Sequence, residues 1–556
     1  VAIEQIRPDA SRAVFWQLLA RQRTETEQAF FVWGAFLLLF TIVAVPVLGA
    51  ALPPLADYPN HLSRMYIIAD HGGSPFLAKY YQVEWSPLPN LAMDAIVPIL
   101  AWAMPVERAG KVFLLMLLFL DAAGVLLLHR ALWRRWSVWP CLGLLLVFNR
   151  IFLRGFVNFL FGLGVAFCVV AMWVALTPRH PRLRLAASTV LVTLVYFCHI
   201  EACAILGLLL LCFEGGSAFA ELRSGRVAAL PQRAGTLVLP FLPAALFFAA
   251  WRPVASGPVQ FREMAEKLNQ LWTVFSNYDV VLDALTTVGF FGLFVALRIR
   301  RQLQVAPMLG WGICVFGIVY AILPVALLSG FGADERLPLA ISMLLVAGTA
   351  PAQLNRNFSL GLGAAFCMLF LGRFAVIERV WRHAQEIYAE DAAILTELPA
   401  GAKLGLGVPW EILADTDIPQ THFPSLAVPI RQAFVPSMFV FKAQQPLAFA
   451  PAWRGLASAA EPQEIYAAFV SGDATLRAKL TSTLPLFDNI LFVNNVPFSV
   501  DSGLCLIAVR ATASFQLFKV NAPGGLCPVD AGRGAPIGIT VMGDGIIRSK
   551  AWPVQK

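Results

Sequence analysis

Up to about residue 377 the chain alternates long apolar runs with short, arginine-bearing interruptions. The runs at 30–52, 156–176, 235–251 and 305–328 each approach the roughly 20 residues that cross a bilayer as a helix. Beyond residue 377 the pattern changes. Apolar runs shorten, prolines recur, and 403–408, 438–441, 490–494 and 504–509 read as strands flanked by turn residues, with a helical pattern between Trp381 and Leu398. The expected fold is a polytopic α-helical membrane protein with a C-terminal extracytoplasmic α/β or α+β domain.

Threading the runs through a bilayer from a cytoplasmic segment at 1–29 gives about eleven spans, within a range of 10 to 13. They fall at 30–52, 114–128, 138–152, 156–176, 185–199, 204–213, 235–251, 281–297, 305–328, 337–349 and 360–377. The membrane module is then 30–377, with a first external loop at 53–110 carrying interfacial helices, one of them at 91–104, and the soluble domain is 378–556. No repeat at 20–50 residue spacing and no cleavable leader stands out.

Composition agrees with this reading. Of 556 residues, 58% are hydrophobic and 14% charged, against about 45–50% apolar and 25% charged in an average soluble domain. A soluble enzyme, a disordered chain and a collagen-like chain are excluded. The net charge of +8 and pI of about 9.1 do not point to nucleic acid. The arginines sit in short clusters between apolar runs, and every cluster except the Arg150 and Arg154 pair falls on the cytoplasmic side of the threading. Seven cysteines lie in apolar runs, whereas Cys505 and Cys527 lie in the polar C-terminal part, where a disulfide is compatible with an oxidising compartment.

Ionisable groups are scarce and costly near a membrane, so their positions carry the functional signal. The first external loop opens Pro53-Pro54-Leu55-Ala56-Asp57-Tyr58-Pro59-Asn60-His61-Leu62-Ser63-Arg64. Pro59 stiffens the segment that holds Asp57, and His61 and Arg64 follow one turn apart on the next helix. Asn149, Arg150, Arg154 and Asn158 occupy the second external turn; His199 and Glu201 end the fifth span; Tyr278-Asp279 closes a later loop; Asp334-Glu335-Arg336 opens the tenth span. Each has a structural alternative, such as Asp57 or Asp334 capping a helix, Asp57 pairing with Arg64, or Glu201 pairing with an arginine. Taken together they suggest a polar chamber at one membrane face. Arg150, Arg154 and Arg336 suit an anionic ligand, and Asp57 or Glu201 suits a general base. His61, Arg64, Asn158, His199, Tyr278, Asp279 and Glu335 complete the candidate binding set. His61, His199 and Glu201 have the residue types of a metal site without its tight spacing, so no metal ligand is assigned and a divalent ion is left open. Phosphate-loop, dinucleotide and nucleophile-elbow motifs are not found.

The segment Ala56-Asp57-Tyr58-Pro59-Asn60-His61 resembles the first-loop acidic motif of the GT-C class of integral-membrane glycosyltransferases. Gly155-Phe156-Val157-Asn158-Phe159-Leu160-Phe161-Gly162-Leu163-Gly164 is similar to a Gly/Asn-rich span of its bacterial members. The order of a first span, a long loop, many spans and a C-terminal soluble part matches as well. The resemblance implies transfer of a sugar from a polyprenyl-phosphate donor to a glycan, lipid or protein acceptor on the periplasmic face of a bacterial inner membrane. Asp57 falls at the catalytic acid position. The single acid, in place of a paired motif, departs from several relatives, does not match a family-type metal site, and favours an inverting displacement. Rival readings are a lipid-linked polysaccharide ligase or polymerase, another outer-face transferase such as an acyltransferase, a transporter or flippase, and a non-catalytic assembly subunit. The oligomeric state is left open. Trp410, Phe423, Phe434, Phe439 and Trp453 are candidates for a carbohydrate platform, against the alternative that they form core.

Overall fold

The computed structural model describes residues 24–177, 180–225, 230–251, 259–327, 330–352, 354–442 except 415–416, 444–459, 461–470, 475–476, 478, 483–493 and 506–520. Cys505 and Cys527 lie outside the described residues, as does most of the segment 1–29. Among the described residues, eight helices are long and apolar enough to cross a membrane. The protein is a polytopic α-helical membrane protein.

The first of these helices, α1 (Glu25–Gly49), starts at a capping box in which Thr24 and Glu27 satisfy each other's backbone N–H groups. The loop that follows carries α2 (Tyr58–Asp70) and the nine-residue α3 (Ala92–Leu100). At a rise of 1.5 Å per residue, α3 spans only ~14 Å, too short to cross a bilayer. The next helices are α4 (Val106–Trp133), the short α5 (Arg150–Arg154) and α6 (Val157–Leu176).

Helices α4 and α6 run parallel. Phe113 stacks on Phe161 at 5.1 Å, while further along both helices Gly124 abuts Phe167 and Gly164 abuts Asp121. A Cβ on Gly164 would stand 2.7 Å from the Asp121 nitrogen, so glycine is what allows this approach. Two parallel neighbours require the intervening chain to travel back along their length. It does so as a 3-10 helix, Trp139–Leu146, whose side chains are all buried, followed by α5. The expected helix at 138–152 is therefore replaced by 3-10 structure. Asn149 ends it, donating from Nδ2 to the Leu146 carbonyl and accepting the Phe152 N–H at Oδ1 to start α5. Irregular backbone at this depth is tolerated because protein covers it.

Beyond α6 the chain forms α7 (Pro181–Cys198), α8 (Ile200–Arg223), the helical segment Leu230–Ala250, α9 (Val280–Ile299), α10 (Pro307–Ile322), α11 (Ala333–Ala347) and α12 (Arg356–Leu395). Helix α12 is continuous over 40 residues. The expected boundary at 377/378 falls inside it, so the last apolar run and the helical pattern after Trp381 are one element.

The C-terminal part holds a four-stranded sheet. With β1 as Tyr81–Val83 and its partner β3 as Leu447–Phe449, the sheet's four strands are β2 (Leu404–Gly407), β4 (Asn489–Val493), β5 (Leu506–Ala511) and β6 (Phe515–Val520). The sheet order is β2-β4-β6-β5, with β2 and β4 parallel and the other pairs antiparallel. The strand expected at 438–441 lies instead at β3, which pairs antiparallel with β1 and so stitches the loop after α1 to the C-terminal part. Tyr80 and Tyr81 strengthen that seam by donating their hydroxyls to the Gly401 and Ala433 carbonyls. Phe423 and Phe434 are core, Trp453 packs edge-on against Tyr80, and Trp410 is exposed. The five aromatics do not form one platform.

Candidate functional site

Asp57 precedes α2 with helical backbone angles, so its side chain makes no capping hydrogen bond. The carboxylate is left for other work. Its backbone is held from the α5 turn: the Ala56 N–H donates to the Leu153 carbonyl at 2.9 Å, and the Asp57 N–H to the Arg154 carbonyl at 3.0 Å. Gly155 closes that turn at φ +89°, and a Cβ there would stand 2.9 Å from the Asp57 Cβ. Only glycine fits both the dihedral and the space. Gly155→Ala is expected to cost ~2–4 kcal/mol from left-handed strain plus overlap. A thermal unfolding midpoint unchanged from wild type would show that the turn yields.

The polar residues after Asp57 each anchor a different segment. Asn60 acts as a surrogate strand, donating to the Ser437 carbonyl and accepting the Phe439 N–H, both at 2.9 Å. Ser63 donates to the Ser425 carbonyl at 2.9 Å. His61 lies 3.1 Å from the Arg64 guanidinium through Nδ1. Arg64 is fully buried and forks onto Asp94 at 2.7 and 3.0 Å.

A cavity of about 590 Å³ opens beside Asp57. Among the sequence candidates it is lined by Asp57, His61, Asn158, His199, Glu201 and Arg336. Asn158 shapes the wall: its Oδ1 accepts the Met93 N–H at 2.8 Å, and its Nδ2 donates to the Asn90 carbonyl at 2.9 Å. His199 sits in the break between α7 and α8, where its Nδ1 accepts the Glu201 N–H at 3.2 Å. Arg336 pairs with Glu201, donates to the Phe331 carbonyl at 3.1 Å, and lies 4.5 Å from the Phe156 ring and 5.3 Å from the Phe159 ring. The rest of the wall is largely apolar, with Phe248, Trp251, Leu323 and Phe331 from the helical part. The C-terminal part adds Phe439, Phe441, Gln444 and Gln445.

The other sequence candidates stand outside the cavity wall. Arg150 and Arg154 both hold Asp417, each at 2.7 Å, and Arg154 also pairs with Glu335, which pairs in turn with Arg262. These charges dock the C-terminal part and α11 on the α5 turn. Asp334 is likewise held by Arg262, at 3.0 Å. Tyr278 accepts a hydrogen bond from Trp381 at 2.9 Å, and Asp279 caps α9 through the Leu282 N–H. Arg64 is an anchor for His61, one side chain removed from the cavity.

One group escapes sequence reading. His422 places Nε2 3.4 Å from Asp57 Oδ1, and its ring meets Phe439 edge-on at 4.8 Å. Its only sequence signal is an isolated histidine in a proline-bearing apolar stretch, far along the chain from Asp57.

Burial sets the electrostatics. It pushes the Asp57 carboxyl up to about 7, against the lowering pull of Arg154, Arg336 and Arg64. It drives His422 down to about 4. His61 is held well below the usual imidazole range by burial and then by the Arg64 charge. Both imidazoles are neutral at physiological pH, whereas Asp57 exchanges its proton there. Burial also raises Asp417, but Arg154 and Arg150 more than reverse this and keep it ionised. Among the described residues no three His, Cys, Asp or Glu side chains stand close enough to share a metal ion. The chain matches no protein-family model, no curated protein and no solved structure.

Proposed function

We propose that this protein is an integral-membrane glycosyltransferase of the GT-C type. It moves a sugar from a polyprenyl-phosphate carrier to a hydroxyl of a glycan, lipid or protein acceptor, with Asp57 as general base and Arg336 as the cation for the lipid phosphate. One observation carries the reading: the Asp57 carboxylate, which burial pushes up to about 7, shares a largely apolar cavity with the Arg336 guanidinium. Asp57 takes the acceptor's proton as its oxygen bonds to the anomeric carbon, and the carbon–oxygen bond to phosphate breaks with its electron pair leaving on the phosphate. The leaving group is already a stable anion, so positioning and charge balance are the main demands. Glu201, the other carboxylate on the wall, is engaged by Arg336. A single base therefore serves a single displacement, which inverts the anomeric centre.

The path of the chain supports the topology in this reading. Among the described residues, eight long helices, the apolar α10 and the buried α11 are compatible with that threading, and the chain between α4 and α6 returns through the buried Trp139–Leu146 segment and α5. At one face Glu25 pairs with Arg130, and His129 and Trp133 meet the Ala347 carbonyl. At the other, Lys111 donates to the Leu48 and Ala50 carbonyls near the start of the Asp57 loop. The arginine clusters gather at the first face, which supports a cytoplasmic placement of that face. On this reading the cavity and the C-terminal part face the periplasm of a bacterial inner membrane.

Native mass spectrometry of the detergent-purified protein with added polyprenyl phosphate tests the donor assignment. Wild type is expected to retain the lipid. Arg336→Ala is expected to weaken retention ~10–100-fold, the worth of a charge-assisted hydrogen bond. Wild type that binds no polyprenyl phosphate would overturn the proposal.

A further inference from the structure

His422 comes from the C-terminal part, and among the described residues it is the only basic side chain in contact with the Asp57 carboxylate. Its Nδ1 is buried and has no hydrogen-bond partner. That fact selects a tautomer. A buried acceptor without a partner is tolerated more often than a buried N–H without one, so the proton of the neutral ring belongs on Nε2, the atom that faces Asp57 Oδ1. At 3.4 Å the contact is long, of the kind that tightens when a substrate fills a site. Phe439 holds the imidazole edge-on, and Asn60 holds Phe439 by its backbone, so the ring's place is fixed from α2 itself.

We propose that His422 is the positioning residue of Asp57: its neutral Nε2–H donates to Oδ1, fixes the carboxylate and favours its ionised form, leaving Oδ2 to take the acceptor's proton. The inference rests on the general-base reading of Asp57. It also gives the C-terminal part a defined role. By docking Asp417 on Arg150 and Arg154, this part brings His422 to the base and completes the site.

Charges from every surrounding element act on the same carboxylate. Arg154 reaches it from the α5 turn, Arg336 from α11 and Arg64 from α2. The neutral ring of His61 neighbours His422. Substitutions at 422 leave all four of these in place, so a change in Asp57 titration reports on the imidazole.

The test needs no substrate. Infrared pH titration of the full chain in lipid nanodiscs, with the Asp57→Asn spectrum subtracted, isolates the Asp57 carboxyl band. Wild type is expected to titrate near 7. His422→Phe keeps the packing on Phe439 and removes the donor, so the midpoint should rise by about one pH unit, the worth of a hydrogen bond to a charged group. His422→Gln supplies an amide N–H and should return the midpoint toward wild type. A midpoint unmoved in His422→Phe, or one that Gln fails to restore, would overturn the proposal. If the midpoint follows His422 yet Asp57→Asn retains transfer, the pairing stands and the base assignment falls.

Discussion

Asp57→Asn is expected to lower sugar transfer by ~10²–10⁴-fold, the usual contribution of a general base, in an otherwise intact protein. The amide matches the carboxylate in shape, and the backbone hydrogen bonds to the α5 turn do not involve the side chain. Stability is expected to move in the opposite direction to activity. The folded protein holds the Asp57 proton up to about 7, against 3.8 for the free side chain. Ionisation therefore subtracts stability as pH rises from 3.8 to about 7, and the loss is complete above that value. The neutral amide removes this cost, so at pH 8 the variant should unfold at a higher temperature than wild type. In wild type, kcat/KM should rise with pH and level off above about 7, where the base is ionised. Residual transfer in Asp57→Asn should lack that limb. Transfer from a polyprenyl-phosphate sugar in proteoliposomes, followed across pH, measures both. Full activity in the variant would end the assignment of Asp57 as base.

The parts of the site that sequence reading located are those whose function depends on near neighbours. Asp57, His61, Asn158, His199, Glu201 and Arg336 share one cavity because each sits at the end of an apolar run, and run ends share a depth. Hydropathy finds depth readily. It does not say which polar groups at that depth are already satisfied. Arg150 and Arg154 looked like anion ligands because their partner Asp417 lies hundreds of residues away in a segment without a strong pattern. Arg64 and Glu335 are engaged by Asp94 and Arg262, and spacing along the chain does not mark these as partners. His422 was missed because nothing in spacing links it to Asp57. The fold behaves alike. The apolar run at 138–152 signals burial correctly, but burial does not distinguish an α-helix from the 3-10 path that Asn149 terminates. The boundary near 377 marks where lipid-facing character ends, while α12 continues because nothing in its sequence breaks a helix.

Asp94→Asn is expected to be the most damaging single substitution for stability. Arg64 and Asp94 are both fully buried, and the fork between them is the guanidinium's only carboxylate partner among the described residues. The amide keeps the volume and removes the charge, leaving an uncompensated buried cation at a cost of ~3–5 kcal/mol. Arg64→Met leaves the opposite charge unpaired and should cost a similar amount. The double substitution Arg64→Met with Asp94→Leu removes both charges. It should recover most of the loss, because an apolar pair of similar volume is often as stable as a buried ion pair, so the two effects are strongly non-additive. Recovery of the fold is not expected to restore transfer. Arg64 also donates toward His61 Nδ1 at 3.1 Å, and His61 lines the cavity beside Asp57. Thermal midpoints and monodispersity in detergent, read for all three variants beside transfer, separate the two roles. A double variant as unstable as either single one would show that the ion pair is specifically required. One with normal transfer would show that Arg64 contributes only to folding.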